Sequence, residues 1–286
     1  MLDAVERHID SGGVTLHVAE QGHGAPVLVL HGFAGSARAM APIVGALAER
    51  YRVIAPDLIG HGRSDAPHDA SAYAWPAVTS GVVRLLDALE LSQAHVLGFS
   101  LGGRIALQLA ALRPTRVRAL VTIGSRCAWS NESERSARRV SDTALAEKIE
   151  RDGFAAAFAD RAIDADALHD LAPRAGAHGL ALVLRHLGAA DQPDPATALA
   201  RSATPLLLIA GSADVGPLAA AHALAATLPE ARVVEIAGAT HRAHLERTAL
   251  VARAAIDFFT ACDAQRTQHT TIRAAHAAGT RGEASW

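Results

Sequence analysis

Ser100 stands in Gly98-Phe99-Ser100-Leu101-Gly102-Gly103, between the apolar run Ala94 to Leu97 and the amphipathic run Arg104 to Leu112. Strand, sharp turn and helix is the context in which a G-x-S-x-G turn strains the serine backbone and lifts its hydroxyl clear of the sheet. Glycines two residues to either side leave out the Cβ atoms that would clash there. The helix beginning at Leu101 would aim its unpaired N–H groups and its positive dipole end at whatever lies beside Ser100 Oγ. The bland alternative is a glycine-rich turn with a capping serine, so the rest of the chain must decide.

A serine used as nucleophile or base needs a proton acceptor, and the acceptor needs an orienting acid. The chain has 15 histidines, so position alone discriminates among them. His241 falls in Gly238-Ala239-Thr240-His241, the loop after the last expected strand, and Asp214 in Gly211-Ser212-Ala213-Asp214, the loop after the strand before it. The rival place for the acid, after the strand ending at Ile123, reads Gly124-Ser125 and holds no carboxylate. Ser100, Asp214 and His241 are therefore the candidate catalytic residues, while His244 is expected to pack or cap and Asp57 to shape its loop. Two backbone N–H groups, those of Leu101 and Phe33, are the candidate oxyanion hole, with Gly32 letting its loop turn in close.

The elements that would position these residues alternate. Val14 to Glu20 reads as a half-buried strand; Pro26 to Leu30, Arg52 to Ala55, Ala94 to Leu97 and Val117 to Ile123 read as buried ones. Helices are expected through about Arg50, over Tyr73 to Leu91, and after the Ser100 turn. The alternation resumes with a strand at Pro205 to Ala210, a helix over Leu218 to Leu228, a strand at Arg232 to Ile236 and a last helix from about Arg247 to Thr260. This implies an α/β fold with a mostly parallel sheet covered on both faces. Between Ser125 and Ser202 no strand is expected, only short helices. The reading is a core of residues 1–124 and 203–262, a helical lid inserted at 125–202, and a disordered tail at 263–286.

Composition narrows the class. The 286 residues are 50% hydrophobic and 20% charged, which describes a globular chain. With 27 Lys+Arg against 29 Asp+Glu the formal net charge is -2, so no global field attracts nucleic acid or a membrane surface. No apolar run reaches the roughly 18 residues of a membrane span. The start, Met1 to Arg7, carries acids rather than a signal-like apolar stretch, and the two cysteines, Cys127 and Cys262, cannot build a disulfide framework or metal cage. A cytoplasmic setting, no metal and no cofactor are expected.

Across Val14 to Ala261 the sequence resembles the α/β-hydrolase superfamily, through His31-Gly32-Phe33, Asp57-Leu58-Ile59-Gly60-His61-Gly62-Arg63-Ser64, the Ser100 turn and His241-Arg242-Ala243-His244-Leu245-Glu246. The order serine, aspartate, histidine is the order of that superfamily. A narrower resemblance is to the MenH family, the 2-succinyl-6-hydroxy-2,4-cyclohexadiene-1-carboxylate synthases. It rests on His31 to Ser36, Ser100 to Arg104, Asn131 to Arg138 and Gly188 to Pro193. That resemblance implies a lyase that eliminates pyruvate without an acyl-enzyme, the serine acting as base, and a small carboxylate-rich substrate held by arginines. Arg104 follows the Ser100 turn directly, and Arg138, Arg135 and Arg174 match the family's lid arginines.

The chain departs from the family pattern at Val215-Gly216-Pro217, where a charged residue and an aromatic are frequent, at Phe99 for a frequent tyrosine and at Thr240 for the usual glycine. An ester or carbon-carbon bond hydrolase working through an acyl-enzyme would use the same machinery. A non-catalytic ligand receptor on this scaffold could lose a triad member, and none is missing here.

Overall fold

Apolar pentapeptides bounded by turn residues become the central strands. In the strand Pro26–Leu30 (β3), Val27 and Val29 enter the apolar cluster on one face of the sheet, and Leu28 and Leu30 the cluster on the other, as the two-residue period of a strand requires. The computed structural model describes residues 4–126, 129, 131–158 and 176–279, from 269 on as backbone only.

The sheet has eight strands: β1 (Val5–Asp10), β2 (Thr15–Gln21), β3, β4 (Arg52–Pro56), β5 (Ala94–Phe99), β6 (Val117–Ile123), β7 (Leu206–Gly211) and β8 (Ala231–Ile236). Their order is β1-β2-β4-β3-β5-β6-β7-β8, antiparallel from β1 to β4 and parallel beyond. Helices α1 (Ala41–Ala48), α2 (Trp75–Ala88) and α3 (Leu101–Leu112) follow β3, β4 and β5. α2 and α3 pack on one face, where Val82, Leu85, Ile105 and Leu109 are buried; α1 packs on the other, where Ile43 and Leu47 are buried. The α/β expectation holds.

Between β6 and β7 the described residues contain helices and no strand: α4 (Glu132–Asp152), the single turn α5 (Phe154–Ala157), α6 (Gly176–His186) and α7 (Ala196–Ser202). Ala146 and Ile149 of α4 pack with Leu180 and Leu184 of α6 in an apolar cluster of their own, against which Phe33 of the core also rests. After β7 come α8 (Val215–Ala225), β8, the turn α9 (Ala243–Glu246) and α10 (Thr248–Gly279).

Three differences from the sequence reading have physical causes. β1 has no apolar alternation because its side chains are exposed or half-buried; pairing along β2 forms it. α8 begins at Val215, directly after Asp214, three residues before the expected Leu218. The tail expected at 263–286 is corrected over residues 263–279, since α10 runs through to Gly279; residues 280–286 lie outside the described residues. Its amphipathic first half is docked through Val251, Ala255 and Phe259, and the following residues contain no proline or glycine before Gly279, so the helix propagates with nothing to stop it. Asp263, the first residue of that stretch, lies 3.2 Å from the buried His95. Among the described residues no helix is long and apolar enough to cross a membrane.

Candidate active site

The hydroxyl-bearing turn joins β5 to α3. Ser100 has φ +50° and ψ −109°, a conformation that costs a non-glycine residue energy and persists because its surroundings over-determine it. Those surroundings are glycine contacts. A Cβ on Gly98 would lie 2.5 Å from the Gly102 backbone, one on Gly102 2.2 Å from Leu30 O, and one on Gly103 1.9 Å from Ser125 Oγ. The space left at Gly103 lets the Ser125 hydroxyl donate to Ser100 O at 3.1 Å, while Ser100 N–H donates to Ile123 O at 2.8 Å.

The loops after β7 and β8 bring the acid and the base. His241 Nε2 is 3.1 Å from Ser100 Oγ and His241 Nδ1 is 2.7 Å from Asp214 Oδ2. With a proton on Nδ1, donated to Asp214, Nε2 is free to accept the Ser100 proton. Gly124, at φ +57°, explains why the end of β6 carries no acid: a Cβ there would lie 3.2 Å from both Asp214 Oδ2 and His241 Nδ1. Glu246 anchors the histidine loop, accepting from Thr240 N–H at 2.8 Å and from the Thr240 hydroxyl. His244 is buried against the Phe99 ring at 4.1 Å, and burial, with His241 and Arg242 nearby, pushes its imidazole down to about 4.

The loop after β3 passes directly beside the serine, since a Cβ on Gly32 would lie 3.3 Å from Ser100 Cβ. His31 Nε2 accepts from Leu58 N–H at 2.9 Å, so Nδ1 carries the proton and donates it to Gly32 O at 2.7 Å. The same carbonyl accepts from Gly35 N–H. Holding that carbonyl turns the trans peptide's other end, the Phe33 N–H, the opposite way. Leu101 N–H, at the first position of α3, has no intrahelical acceptor. Asp57 shapes the adjacent loop: it accepts from His17 Nδ1 at 3.0 Å, Ala37 N–H at 2.7 Å and Arg63 N–H at 2.8 Å. Burial alone would raise its carboxyl; the hydrogen bonds from His17 and from the two amides outweigh that and hold it at about 2.

Ser100, Asp214 and His241 line a cavity of about 470 Å3 together with Arg104, Arg126 and Arg138. A separate, mostly apolar cavity of about 200 Å3 between β2 and α2 contains none of the candidate residues.

Arg104 is 6% exposed, its Nη1 donates to Leu187 O at 2.7 Å, and its guanidinium lies over the Trp75 ring. Burial, then the charge of Arg138, lower its pKa to about 9, with Asp142 opposing. Arg138 Nε donates to the buried Asp142 at 2.8 Å. Arg135 is not brought into this cavity. It donates to Ala190 O at 2.6 Å and lines an adjoining one with Asn131 and Gln192; Arg138, one turn along the same helix, is drawn to Asp142 instead. Arg174 lies outside the described residues.

Three residues escaped the sequence reading: Arg126, Trp129 and Asp142. The available signal for Arg126 was its place two residues past Gly124, at the same sheet edge as Ser100. Gly216 gave no signal by itself, because the fold alone shows that a Cβ there would lie 1.9 Å from Arg126 Nη2.

Comparison with known proteins agrees with this architecture. Residues 25–173 match the family model for the α/β-hydrolase fold. A Bacillus subtilis (strain 168) protein provisionally named 2-succinyl-6-hydroxy-2,4-cyclohexadiene-1-carboxylate synthase is 30% identical over 87% of this chain and 96% of its own length. A Pseudomonas savastanoi protein provisionally named carbamate hydrolase RutD is 33% identical over 83% of this chain and 95% of its own. The structure of MenH from S. aureus superposes with a TM-score of 0.77 at 21% identity, covering 87% of this chain and 98% of that one. By the matched model, the full-length relatives and the shared architecture, this chain belongs to the α/β-hydrolase family.

Proposed function

We propose that the protein is a MenH-type lyase that releases pyruvate from 2-succinyl-5-enolpyruvyl-6-hydroxy-3-cyclohexene-1-carboxylate. The observation that carries this reading is Arg104, a guanidinium enclosed in the Ser100 cavity that among the described residues has a backbone carbonyl as its one hydrogen-bond partner, Asp142 being already engaged by Arg138. A buried cation in that arrangement gains from an incoming carboxylate, which it can grip bidentately. An uncharged ester offers it a carbonyl oxygen but no charge to balance its own. The full-length match to the Bacillus subtilis synthase supports the same reading.

His241 takes the Ser100 proton while Asp214 stabilises the imidazolium. The Ser100 oxygen then accepts the ring proton next to the succinyl carbonyl. As that C–H bond breaks, the electron pair moves onto the carbonyl oxygen, where the Phe33 and Leu101 N–H groups stabilise the enolate. The pair returns through the ring alkene and breaks the C–O bond to the enolpyruvyl group. Pyruvate enolate leaves and is protonated at carbon at the expense of the His241 imidazolium proton, which leaves Ser100 a hydroxyl and His241 neutral as at the start. Arg104 and Arg138 hold carboxylates throughout.

The match to the carbamate hydrolase over a similar length supports a second reading. In it Ser100 Oγ attacks a carbonyl carbon, an acyl-enzyme forms, and water releases it. One assay separates the two. The enolpyruvyl substrate is supplied while pyruvate is followed, with a p-nitrophenyl ester series in parallel. The lyase reading expects pyruvate release that is lost in Ser100→Ala and falls sharply in Arg104→Ala. Ester turnover with a trappable acyl-serine and no pyruvate would overturn it.

A further inference from the structure

Arg126 belongs to no motif that identified the site, yet three elements converge to hold it in the Ser100 cavity. Its Nη1 pairs with Glu134 at the start of α4, its guanidinium carbon lies 4.6 Å from the centroid of the Trp129 ring, and its Nη2 fills the space left by Gly216. Arg126, Trp129 and Glu134 together form the partition between the Ser100 cavity and a smaller cavity of about 250 Å3 against α8, since they line both. The cavity lining contains three guanidinium groups, Arg104, Arg126 and Arg138, against the carboxylates of Glu134 and Asp214. Asp214 is committed to His241, so Glu134 is the resting partner of Arg126.

We propose that Arg126 is a specificity-determining residue that receives an anionic group of the substrate by exchanging Glu134 for it. The proposal rests on the polycarboxylate reading of the cavity. Two features suit the exchange. Glu134 lies in the first turn of α4, where the helix dipole stabilises its charge when the arginine turns away, and its own N–H is held by Asn131 Oδ1 at 2.8 Å, so the backbone need not move. The Trp129 face keeps the guanidinium in plane while its partner changes, and a guanidinium has donors enough to meet a second oxygen pair at a different edge. Gly216 supplies the room: a side chain there would drive the guanidinium out of the lining. The carboxylates of a ligand bound beside Ser100 would then be shared among three arginines on β6–α4 and α3.

The test uses tricarballylate, a compact tricarboxylate, as probe and its trimethyl ester as the uncharged control. Binding is measured by calorimetry and tryptophan fluorescence on the full chain, and pyruvate release is measured on the same preparations. The sign of the Glu134 effect is diagnostic. Arg126→Gln is expected to weaken tricarballylate about 10-fold or more, the scale of one charge-assisted contact. Glu134→Gln is expected to tighten it, because the competing carboxylate is gone. Gly216→Ala, which displaces the guanidinium while keeping its charge, is expected to weaken binding with an unchanged melting temperature. Unaltered affinity in Arg126→Gln would overturn the proposal. So would a loss in Glu134→Gln equal to that in Arg126→Gln, which marks the pair as a purely structural tie. Wild-type binding of tricarballylate with these effects but without pyruvate release would leave the assignment of Arg126 standing and remove the lyase reading. Tricarballylate binding no tighter than its ester would remove both.

Discussion

Around Ser100 the sheet side of the cavity is held by backbone, and the insertion side by ionised side chains. On the sheet side, Gly98, Gly102 and Gly103 each sit where a Cβ would collide and Gly124 where one would be tight, and the contacts they permit place Ser100, Asp214 and His241 within hydrogen-bond distance. On the insertion side, Arg135 and Arg139 of α4 grip Ala190 O and Asp191, while Arg104 and Gln108 of α3 grip Leu187 O and Pro193 O. Four side chains from two elements thus staple one strap, residues 187–193, between core and insertion. Backbone geometry tolerates almost no substitution, whereas a staple of polar contacts can lose a member and keep its form. Under the proposed function the reaction machinery is on the first side and the substrate-sorting charges are on the second.

The largest blow to the sheet side is Asp214→Asn, which leaves the shape intact but removes the charge that stabilises imidazolium. A fall in kcat of about 10^4-fold, with little change in KM, is expected from steady-state kinetics. Gly124→Ala attacks the same side through the backbone. It adds strain at positive φ and pushes a methyl group against the Asp214–His241 pair, so a kcat loss of about 10- to 100-fold with about 1–2 kcal/mol of stability is expected, measured together by kinetics and urea unfolding. Retention of full kcat would show that the pair is less tightly set by backbone than its geometry implies.

A pH prediction follows from His244, which packs behind the site. Its folded-state pKa of about 4 lies below the ordinary 6.5, so the unfolded chain binds the proton more readily. The stability it contributes is complete above about pH 6.5 and is lost as pH falls toward 4, by about 3 kcal/mol. Asp57, held at about 2, extends the acid loss from about pH 4 downward. Urea unfolding of His244→Phe at pH 7 and pH 5 should show a smaller difference between the two pH values than the parent shows. The smallest effect tests the insertion side. Arg135→Ala removes one staple outside the Ser100 cavity and is expected to change kcat/KM by less than about 3-fold and stability by about 1 kcal/mol. A KM increase comparable to that of Arg104→Ala would place Arg135 in substrate binding and erase the distinction between the two cavities.

The parallel strands were legible because burial on both faces leaves continuous apolar runs, as in Pro26 to Leu30, and the site was legible because its members lie in loops at the ends of such strands. β1 was not, because an edge strand whose side chains face solvent carries no hydrophobic period. The helical extension past Thr260 was not, because polar helix formers continuing a docked helix look the same as a tail. Arg135 and Arg138 could not be told apart by motif, since both follow the same resemblance and share a helix face, and only their partners, Ala190 O for one and Asp142 for the other, separate the cavities they line.

The sequence by itself determined the turn at Ser100, the order of serine, acid and base, and the alternation that puts all three at one sheet edge, because these depend on local sterics and on strand and helix periods. Tertiary structure alone decided which arginines share a cavity with Ser100, why Gly124 and Gly216 have no side chain, and that Arg126 rests on Glu134. Those facts depend on distances between elements far apart in the chain, and a guanidinium on a long flexible stem gives no local sign of where its charge will be delivered.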